Sequence, residues 1–276
     1  MSTKGKCNLM TTLELETEKM LAGVSDGIGW MTFNNPARHN AISLEMWQGV
    51  ATIMEAFHKD DDVRVVVLKG AGEKAFISGA DISEFDSKRS NAEQKKEYGK
   101  ASADANRWMS RMEKPLLAMI QGYCIGGGLA TALGADIRFA TPDSKFGIPA
   151  AKLGLGYEYG GLEKLCNIVG PANAKDIMFT ARFMDADEAL QMGLVNFVVE
   201  KDELENRVKA YAAAIAGNAP LTVKTSKAAI NEVMKEPSER NLEVIDAMVN
   251  QCFDSEDYKE GRRAFMEKRP AKFKGR

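Results

Sequence analysis

The chain has 276 residues, of which 45% are hydrophobic and 28% are charged, and this balance excludes an intrinsically disordered protein. The length suits one large domain, or a domain that carries an appended region. Because 37 basic residues face 39 acidic ones, the net charge is -2, which argues against a general nucleic-acid-binding surface.

The N-terminal part of the chain predicts a strand, a helix and a second strand. Residues 28–34 have the composition of a strand, and Asn35-Pro36 ends it. Ser43 is a typical helix N-cap, and apolar residues then recur at helical spacing: Met46, Val50, Ile53, Met54 and Phe57. Residues 63–68 are apolar apart from Arg64 and are typical of a buried strand.

The alternation of strands and helices continues along the chain. A loop rich in Gly, Ala and Asp over residues 70–82 precedes a predicted helix over 90–113. Strands are predicted over 115–120 and 136–140, and between them Gly126-Gly127-Gly128 opens a short helix. This order favours an α/β fold with largely buried sheets. From about residue 205 the pattern is helical to the end, and two prolines divide it into at least three segments.

The cysteines and histidines narrow the range of chemistry. The four cysteines are far apart and form no Cys-x-x-Cys pair, so we expect neither disulfides nor a zinc site. Only two histidines are present, His39 and His58, which disfavours histidine-based metal catalysis and a Ser-His-Asp triad. No apolar run has the length of a signal peptide or a membrane span. The sequence therefore predicts a cytoplasmic protein with no membrane or nucleic-acid partner.

Two loops of small residues, each after a predicted strand, suit the binding of an anionic oxygen. Gly126-Gly127-Gly128 lies at a helix start, where backbone N–H groups are free, and it matches neither the Walker P-loop nor GxGxxG. Residues 78–82, Ser-Gly-Ala-Asp-Ile, let a ligand approach the backbone in the same way. Together they favour a two-donor oxyanion hole. Tight helix–strand packing and a turn capped by Asp81 are the structural alternatives.

These loops, with a third stretch over 146–161, resemble those of the crotonase family, also called the enoyl-CoA hydratase/isomerase superfamily. The likeness covers nearly the whole chain. Residues 34–41, Asn-Asn-Pro-Ala-Arg-His-Asn-Ala, are similar to the family's NRPxxxNA opening, and residues 265–270, Phe-Met-Glu-Lys-Arg-Pro, to its closing FxEKRxP. Further similar motifs are Gly170-Pro171, Thr180-Ala181-Arg182, Asp187-Glu188-Ala189 and Gly193-Leu194-Val195.

The resemblance implies the architecture and the assembly. It implies an α/β crotonase fold, with a spiral core of repeated ββα units over residues 1–205 that carries an acyl-CoA site. Residues 206–276 would form a C-terminal helical region that mediates trimerisation. The protein would be a homotrimer or a dimer of trimers, with no metal and no cofactor beyond the CoA part of its thioester substrate.

The resemblance also implies the site residues. The backbone N–H groups of Ala80 and Gly127 would hold the thioester oxygen when an enolate forms. Phe265 and Lys268, from a neighbouring subunit, would lie near the adenine and the phosphates of CoA, where a cation suits a phosphate. The full set of expected substrate or CoA contacts is Arg38, Ser78, Asp81, Ile82, Tyr123, Gly126, Ala130, Ala150, Tyr157, Phe265 and Lys268.

The sequence departs from the family pattern at both acid–base positions. Family hydratases carry one glutamate in GGGxE and another in FGxPE, and this chain has Ala130 and Ala150 there. A methyl group transfers no proton, although acid–base catalysis contributes about 10²–10⁴-fold to rates. Glu158 falls where some family isomerases keep a working carboxylate. Partial burial between Tyr157 and Tyr159 would suit it to act as a base, while an exposed loop glutamate is the alternative.

The reaction expected on these grounds is double-bond isomerisation of an enoyl-CoA, with Glu158 as the base. One carboxylate suffices to move a proton between two carbons, whereas addition of water usually uses two. Three alternatives stay open. The protein could be an acyl-CoA or carbon–carbon bond hydrolase, a hydratase of an unusual enoyl-CoA that uses Glu158, or a non-catalytic acyl-CoA-binding subunit.

Overall fold

The computed structural model describes residues 11–81, 84 and 92–276, and all structural statements below refer to these residues. The candidate residue Ile82 lies outside them. So does the beginning of the helix predicted over 90–113, whose described part runs over Ala92–Arg111.

A seven-stranded sheet forms the centre of the molecule, in the order β1-β2-β3-β4-β6-β8-β10. The β1–β2 and β2–β3 pairs are antiparallel, and every later pair is parallel. The strands are β1 Thr11–Thr12, β2 Met20–Ser25, β3 Ile28–Phe33, β4 Val65–Gly70, β6 Leu116–Ile120, β8 Ile137–Ala140 and β10 Phe197–Val198. The predicted strands over 28–34, 63–68, 115–120 and 136–140 are thus confirmed within two residues at each end.

A second, three-stranded sheet consists of β5 Ala75–Ile77, β7 Tyr123–Ile125 and β9 Lys145–Gly147, in that order and all parallel. Each of its strands follows a strand of the large sheet along the chain. A helix comes next, so that the expected ββα unit occurs three times. The prediction of a loop over 70–82 was wrong where β5 lies, because three residues are too few to show a strand period.

Nine helices are described. They are α1 Leu44–Lys59, α2 Ala92–Arg111, α3 Gly127–Ala132, α4 Tyr159–Thr180, α5 Ala186–Gln191, α6 Leu204–Ala216, α7 Pro220–Val233, α8 Leu242–Asp254 and α9 Glu256–Met266. The expected N-cap is confirmed, since the Ser43 hydroxyl accepts a hydrogen bond from the Met46 N–H. Gly170 and Pro171 interrupt α4, where Gly170 has a φ of 77°.

The large sheet is covered on both faces, which explains its apolar strands. On one face, Ile53, Met54 and Phe57 of α1 pack with Phe33 in the larger of two apolar clusters. On the other face, α6 packs on the smaller cluster, which contains Trp30, Val67, Leu117, Phe139, Val208 and Ala212. Each fully buried large side chain contributes about 1.5–3 kcal/mol. Among the described helices, none is both long enough and apolar enough to cross a lipid bilayer.

Candidate active site

Three loops that carry most of the candidate residues leave the same edge of the three-stranded sheet. Because β5, β7 and β9 are parallel, the segments that follow them start side by side at the carboxyl ends of the strands. Ile125 pairs with Gly147, and the Gly126 N–H donates to the Gly147 carbonyl at 2.8 Å. This arrangement brings the beginnings of the three segments, residues 78–81, 126–130 and those from 148 onward, to one region, at the strand ends where α/β proteins bind ligands.

The backbone of Ala80 presents its N–H away from a neighbouring segment. Ile42 donates its N–H to the Gly79 carbonyl at 2.8 Å and accepts from the Asp81 N–H at 2.9 Å. In extended backbone, successive N–H groups point to opposite sides, so the Ala80 N–H points away from Ile42. Within the part of the chain that the structure describes, no acceptor takes it up.

The N–H of Gly127 lies beside it. Gly127 is the first residue of α3, so its N–H has no partner within the helix. A Cβ built on Gly127 would lie 3.9 Å from the Ala80 nitrogen, which places the two donors close together. Gly126 before it has a φ of 56°, a conformation that favours glycine. Two free donors, of which the Gly127 N–H lies at a helix N-terminus, can together bind an anionic oxygen.

Gly128 lets α3 approach β5, and replacing it by Ala is expected to destabilise the protein by about 3 kcal/mol. A Cβ on Gly128 would lie 2.1 Å from the Ile77 carbonyl oxygen, a backbone atom that cannot give way locally. Thermal unfolding measures the effect, with Gly127→Ala as the matched control because its Cβ makes only ordinary contacts. Equal midpoints for the two variants would contradict the close approach.

Asn40 is a residue of the site region that the sequence analysis did not single out. Its side chain is completely buried, and its backbone φ is 55°. The Asn40 amide donates to the carbonyls of Ala71 and Ala75, at 3.0 and 2.7 Å, and accepts from the Asn35 N–H at 2.9 Å. It therefore ties residues 35–40 to the start of β5. The signal that could have found Asn40 is its place in residues 34–41, the stretch that resembles the family's opening motif.

The expected substrate contacts near this opening motif are brought together. The Ser78 N–H donates to the His39 carbonyl at 3.1 Å, and the Ser78 hydroxyl is 3.4 Å from the Arg38 carbonyl. The Arg38 side chain is exposed. The Tyr123 ring, which is partly exposed, stacks on His39 with the ring centroids 6.2 Å apart. Asp81 is buried beside Ile42.

Each of the two alanines lies a few residues after a strand of the small sheet. Ala130 lies one turn into α3, donates its N–H to the Gly126 carbonyl and is half-buried. Ala150 lies in a 3₁₀ turn over Pro149–Leu153 and is 6% exposed. The methyl side chain of alanine can neither transfer a proton nor form a hydrogen bond.

Glu158 is the N-terminal flanking residue of α4, and its carboxylate is exposed. No described residue makes a hydrogen bond or ion pair with the Glu158 carboxylate. The expectation that two tyrosine rings would partly bury it is wrong. The Tyr157 ring turns inward against Gly161, where a Cβ would lie 2.8 Å from its Cε1, and burial raises the pKa of its hydroxyl. The Tyr159 ring turns outward and is 78% exposed.

Phe265 lies in the last turn of α9, which packs on α8, and Lys268 lies two residues beyond the helix. Phe265 is 83% exposed, and Lys268 follows the helix with a φ of 54°. Both side chains are therefore accessible in the single chain. Among the described residues, no group of three or more His, Cys, Asp and Glu side chains is arranged to hold a metal ion.

Comparison with known proteins identifies relatives over almost the whole chain. Residues 23–276 match the sequence model of the family described as Enoyl-CoA hydratase/isomerase. A short-chain-enoyl-CoA hydratase of Clostridium acetobutylicum is 37% identical, over 92% of this chain and 97% of its own length. A Delta(3,5)-Delta(2,4)-dienoyl-CoA isomerase of Arabidopsis thaliana is 32% identical, over 88% of this chain and 91% of its own.

Solved structures show the same relationship. The crystal structure of an enoyl-CoA hydratase/carnithine racemase from Magnetospirillum magneticum superimposes with a TM-score of 0.87 and 38% identity. The superposition covers 95% of this chain and 97% of that protein. The order of strands and helices described above is therefore that of the crotonase fold.

Proposed function

The chain belongs to the enoyl-CoA hydratase/isomerase family, and from this premise we propose that it isomerises the double bond of an enoyl-CoA. The single observation that carries the proposal is the replacement of carboxylates around the two free N–H groups. In the three loops over residues 78–81, 126–130 and 148–158, all of which the structure describes, the acidic side chains are Asp81, which is buried, and Glu158, which is exposed. Ala130 and Ala150 stand where, by resemblance, hydratases of the family keep their glutamates.

In the proposed mechanism, Glu158 transfers the proton and the two backbone donors stabilise the enolate. The Glu158 carboxylate removes a proton from C2 of a 3-enoyl-CoA, and the electron pair moves into the thioester as an enolate. The Ala80 and Gly127 N–H groups hold the oxygen on which the charge develops, an interaction worth about 2.7–4 kcal/mol for each donor. Glu158 then returns a proton at C4, which gives the 2-enoyl-CoA. These steps balance without a metal or a further cofactor.

Hydration of an enoyl-CoA is the second candidate, and the relatives favour it. The proteins of Clostridium acetobutylicum and Syntrophomonas wolfei, 37% and 34% identical, are named as hydratases of short enoyl-CoA substrates. In this reading, Glu158 would activate the water molecule alone. We rank it second because syn addition of water usually uses one group to remove a proton and a second group to deliver one.

The test is incubation of the protein with a 2-enoyl-CoA and its 3-enoyl isomer in D₂O, followed by mass spectrometry. Because Glu158 is exposed, the carboxylic acid formed in the first step exchanges with solvent. We expect an isomerised product that contains deuterium and no added water. A product heavier by one D₂O would overturn the proposal in favour of hydration. Binding without turnover of any enoyl-CoA would favour a non-catalytic acyl-CoA-binding subunit.

We also propose that the protein assembles as a homotrimer or a dimer of trimers through residues 206–276. The helices α7, α8 and α9, with the residue that follows α7, expose large apolar side chains in the single chain: Ile230, Val233, Met234, Leu242, Phe253 and Phe265. Exposed apolar surface of this kind marks an interface between protein chains. Phe265 and Lys268 would then contact the CoA bound to a neighbouring subunit.

A further inference from the structure

The turn after α9 holds a lysine in a backbone conformation that normally belongs to glycine. The Lys268 N–H donates to the Phe265 carbonyl at 3.2 Å, and the Arg269 N–H donates to the Ala264 carbonyl at 3.0 Å. These two bonds define the Schellman motif, whose left-handed position is usually glycine because a side chain is strained there. Lys268 occupies that position with a φ of 54°. Strain retained at such a place points to a functional demand on the side chain.

An ion pair with two-point geometry fixes this turn. The Arg269 guanidinium donates through Nη1 and Nη2 to the two carboxylate oxygens of Glu260, at 2.6 and 3.0 Å. Arg269 also donates through Nε to Glu267 at 2.6 Å. The Glu260 side chain is only 11% exposed, and the pair lowers the pKa of its carboxyl well below the usual range. Fork-to-fork pairs of this kind fix orientation as well as contributing energy.

The chain beyond the turn is held along the same helix. Glu260 also accepts from the Lys272 N–H at 3.1 Å. One turn earlier on α9, the buried Asp257 accepts from the Lys274 and Gly275 N–H groups, at 2.6 and 2.7 Å. The segment is joined to the core as well, because Arg64 donates to the Phe273 carbonyl at 2.8 Å. The position of the turn is therefore determined relative to the core.

These contacts give the carboxylates of α9 partners and leave Lys268 without one. Asp257 and Glu260 are occupied by backbone N–H groups or by arginine. Among the described residues, no acceptor pairs with the Lys268 ammonium group, which stands on an exposed turn. Such a cation is available to a phosphate group.

We propose that Arg269 and Glu260 are positioning residues, which hold Lys268 in its left-handed conformation so that its ammonium group binds a phosphate of the CoA thioester. The inference rests on the proposed function in taking acyl-CoA as the ligand, and on the proposed assembly in placing Lys268 at the CoA of a neighbouring subunit. It makes no use of the isomerisation step or of Glu158. Arg269 and Glu260 act through Lys268 and do not touch the substrate themselves.

The test compares a 3-enoyl-CoA with the same acyl group on pantetheine, which lacks the adenine and its phosphates. Lys268→Gly removes both the strain and the cation. It is expected to raise the thermal midpoint and to raise KM for the CoA thioester about tenfold, with kcat unchanged. KM for the pantetheine thioester should not change. Arg269→Gln should raise KM in the same selective way, and the Lys268→Gly/Arg269→Gln double variant should add nothing to Lys268→Gly alone.

Arg263→Gln is the matched control, because Arg263 also pairs with Glu260 but lies on the helix and is 65% exposed. It should leave both KM values unchanged. Equal losses with the two thioesters for Arg269→Gln, or losses that add in the double variant, would overturn the proposal.

Calorimetric binding of butyryl-CoA, which has no double bond, separates this result from the proposed function. If the wild type binds butyryl-CoA but turns over no enoyl-CoA, the isomerase proposal fails, and the dissociation constants of the variants still decide the role of Arg269.

Discussion

Replacing Glu158 by Gln is expected to lower kcat for a 3-enoyl-CoA by about 10²–10⁴-fold, which is the usual contribution of a general acid–base group. The amide keeps the size and hydrogen-bonding reach of the carboxylate but accepts no proton. Since no described residue pairs with the Glu158 carboxylate, the substitution should not disturb the fold. The measurement is kcat for isomerisation, together with the calorimetric dissociation constant for butyryl-CoA, which should stay within about twofold of wild type.

Glu163→Gln is the control for this prediction. Glu163 is also exposed and also lies in the N-terminal part of α4, so that both substitutions remove one negative charge from the same end of the helix. Loss of turnover only in Glu158→Gln would assign the proton transfer to that carboxylate. Equal activity of the two variants would show that Glu158 is not the base, and the isomerase mechanism would fall with it.

The large sheet and its helices could be predicted from the sequence because their signals are local. The apolar spacing of α1 and the Ser43 cap need only a few neighbouring residues, and both are present in the structure. The small sheet gave no such signal. Its strands have three residues each and are stabilised by partners far away in sequence, as when β7 lies between β5 and β9. Such pairing depends on tertiary contacts that a single sequence does not display.

The candidate site shows the same division. The small residues of both loops could be recognised in the sequence as a candidate site, because glycine lets a ligand approach the backbone closely. The direction of the Ala80 N–H could not be predicted, since it depends on the hydrogen bonds that Ile42 makes to Gly79 and Asp81. The exposure of Glu158 was mispredicted for a similar reason. Only the fold determines that Tyr157 turns toward Gly161 and Tyr159 toward solvent.

Replacing Gly127 by Pro is the direct test of the two-donor site, because it removes one N–H without disturbing the helix. Gly127 is the first residue of α3, the position at which proline is best tolerated. Gly126 before it has φ 56° and ψ -117°, the mirror image of the extended conformation that normally precedes proline, and glycine adopts both. We expect kcat to fall by about 10²–10³-fold relative to Gly127→Ala, which keeps the N–H. Exchange of the C2 protons of butyryl-CoA in D₂O should fall in parallel, since it needs the same enolate and no double bond. If the Pro and Ala variants catalysed this exchange at equal rates, the Gly127 N–H would not bind the enolate oxygen. The two-donor site would then be wrong, because only the Ala80 N–H would remain.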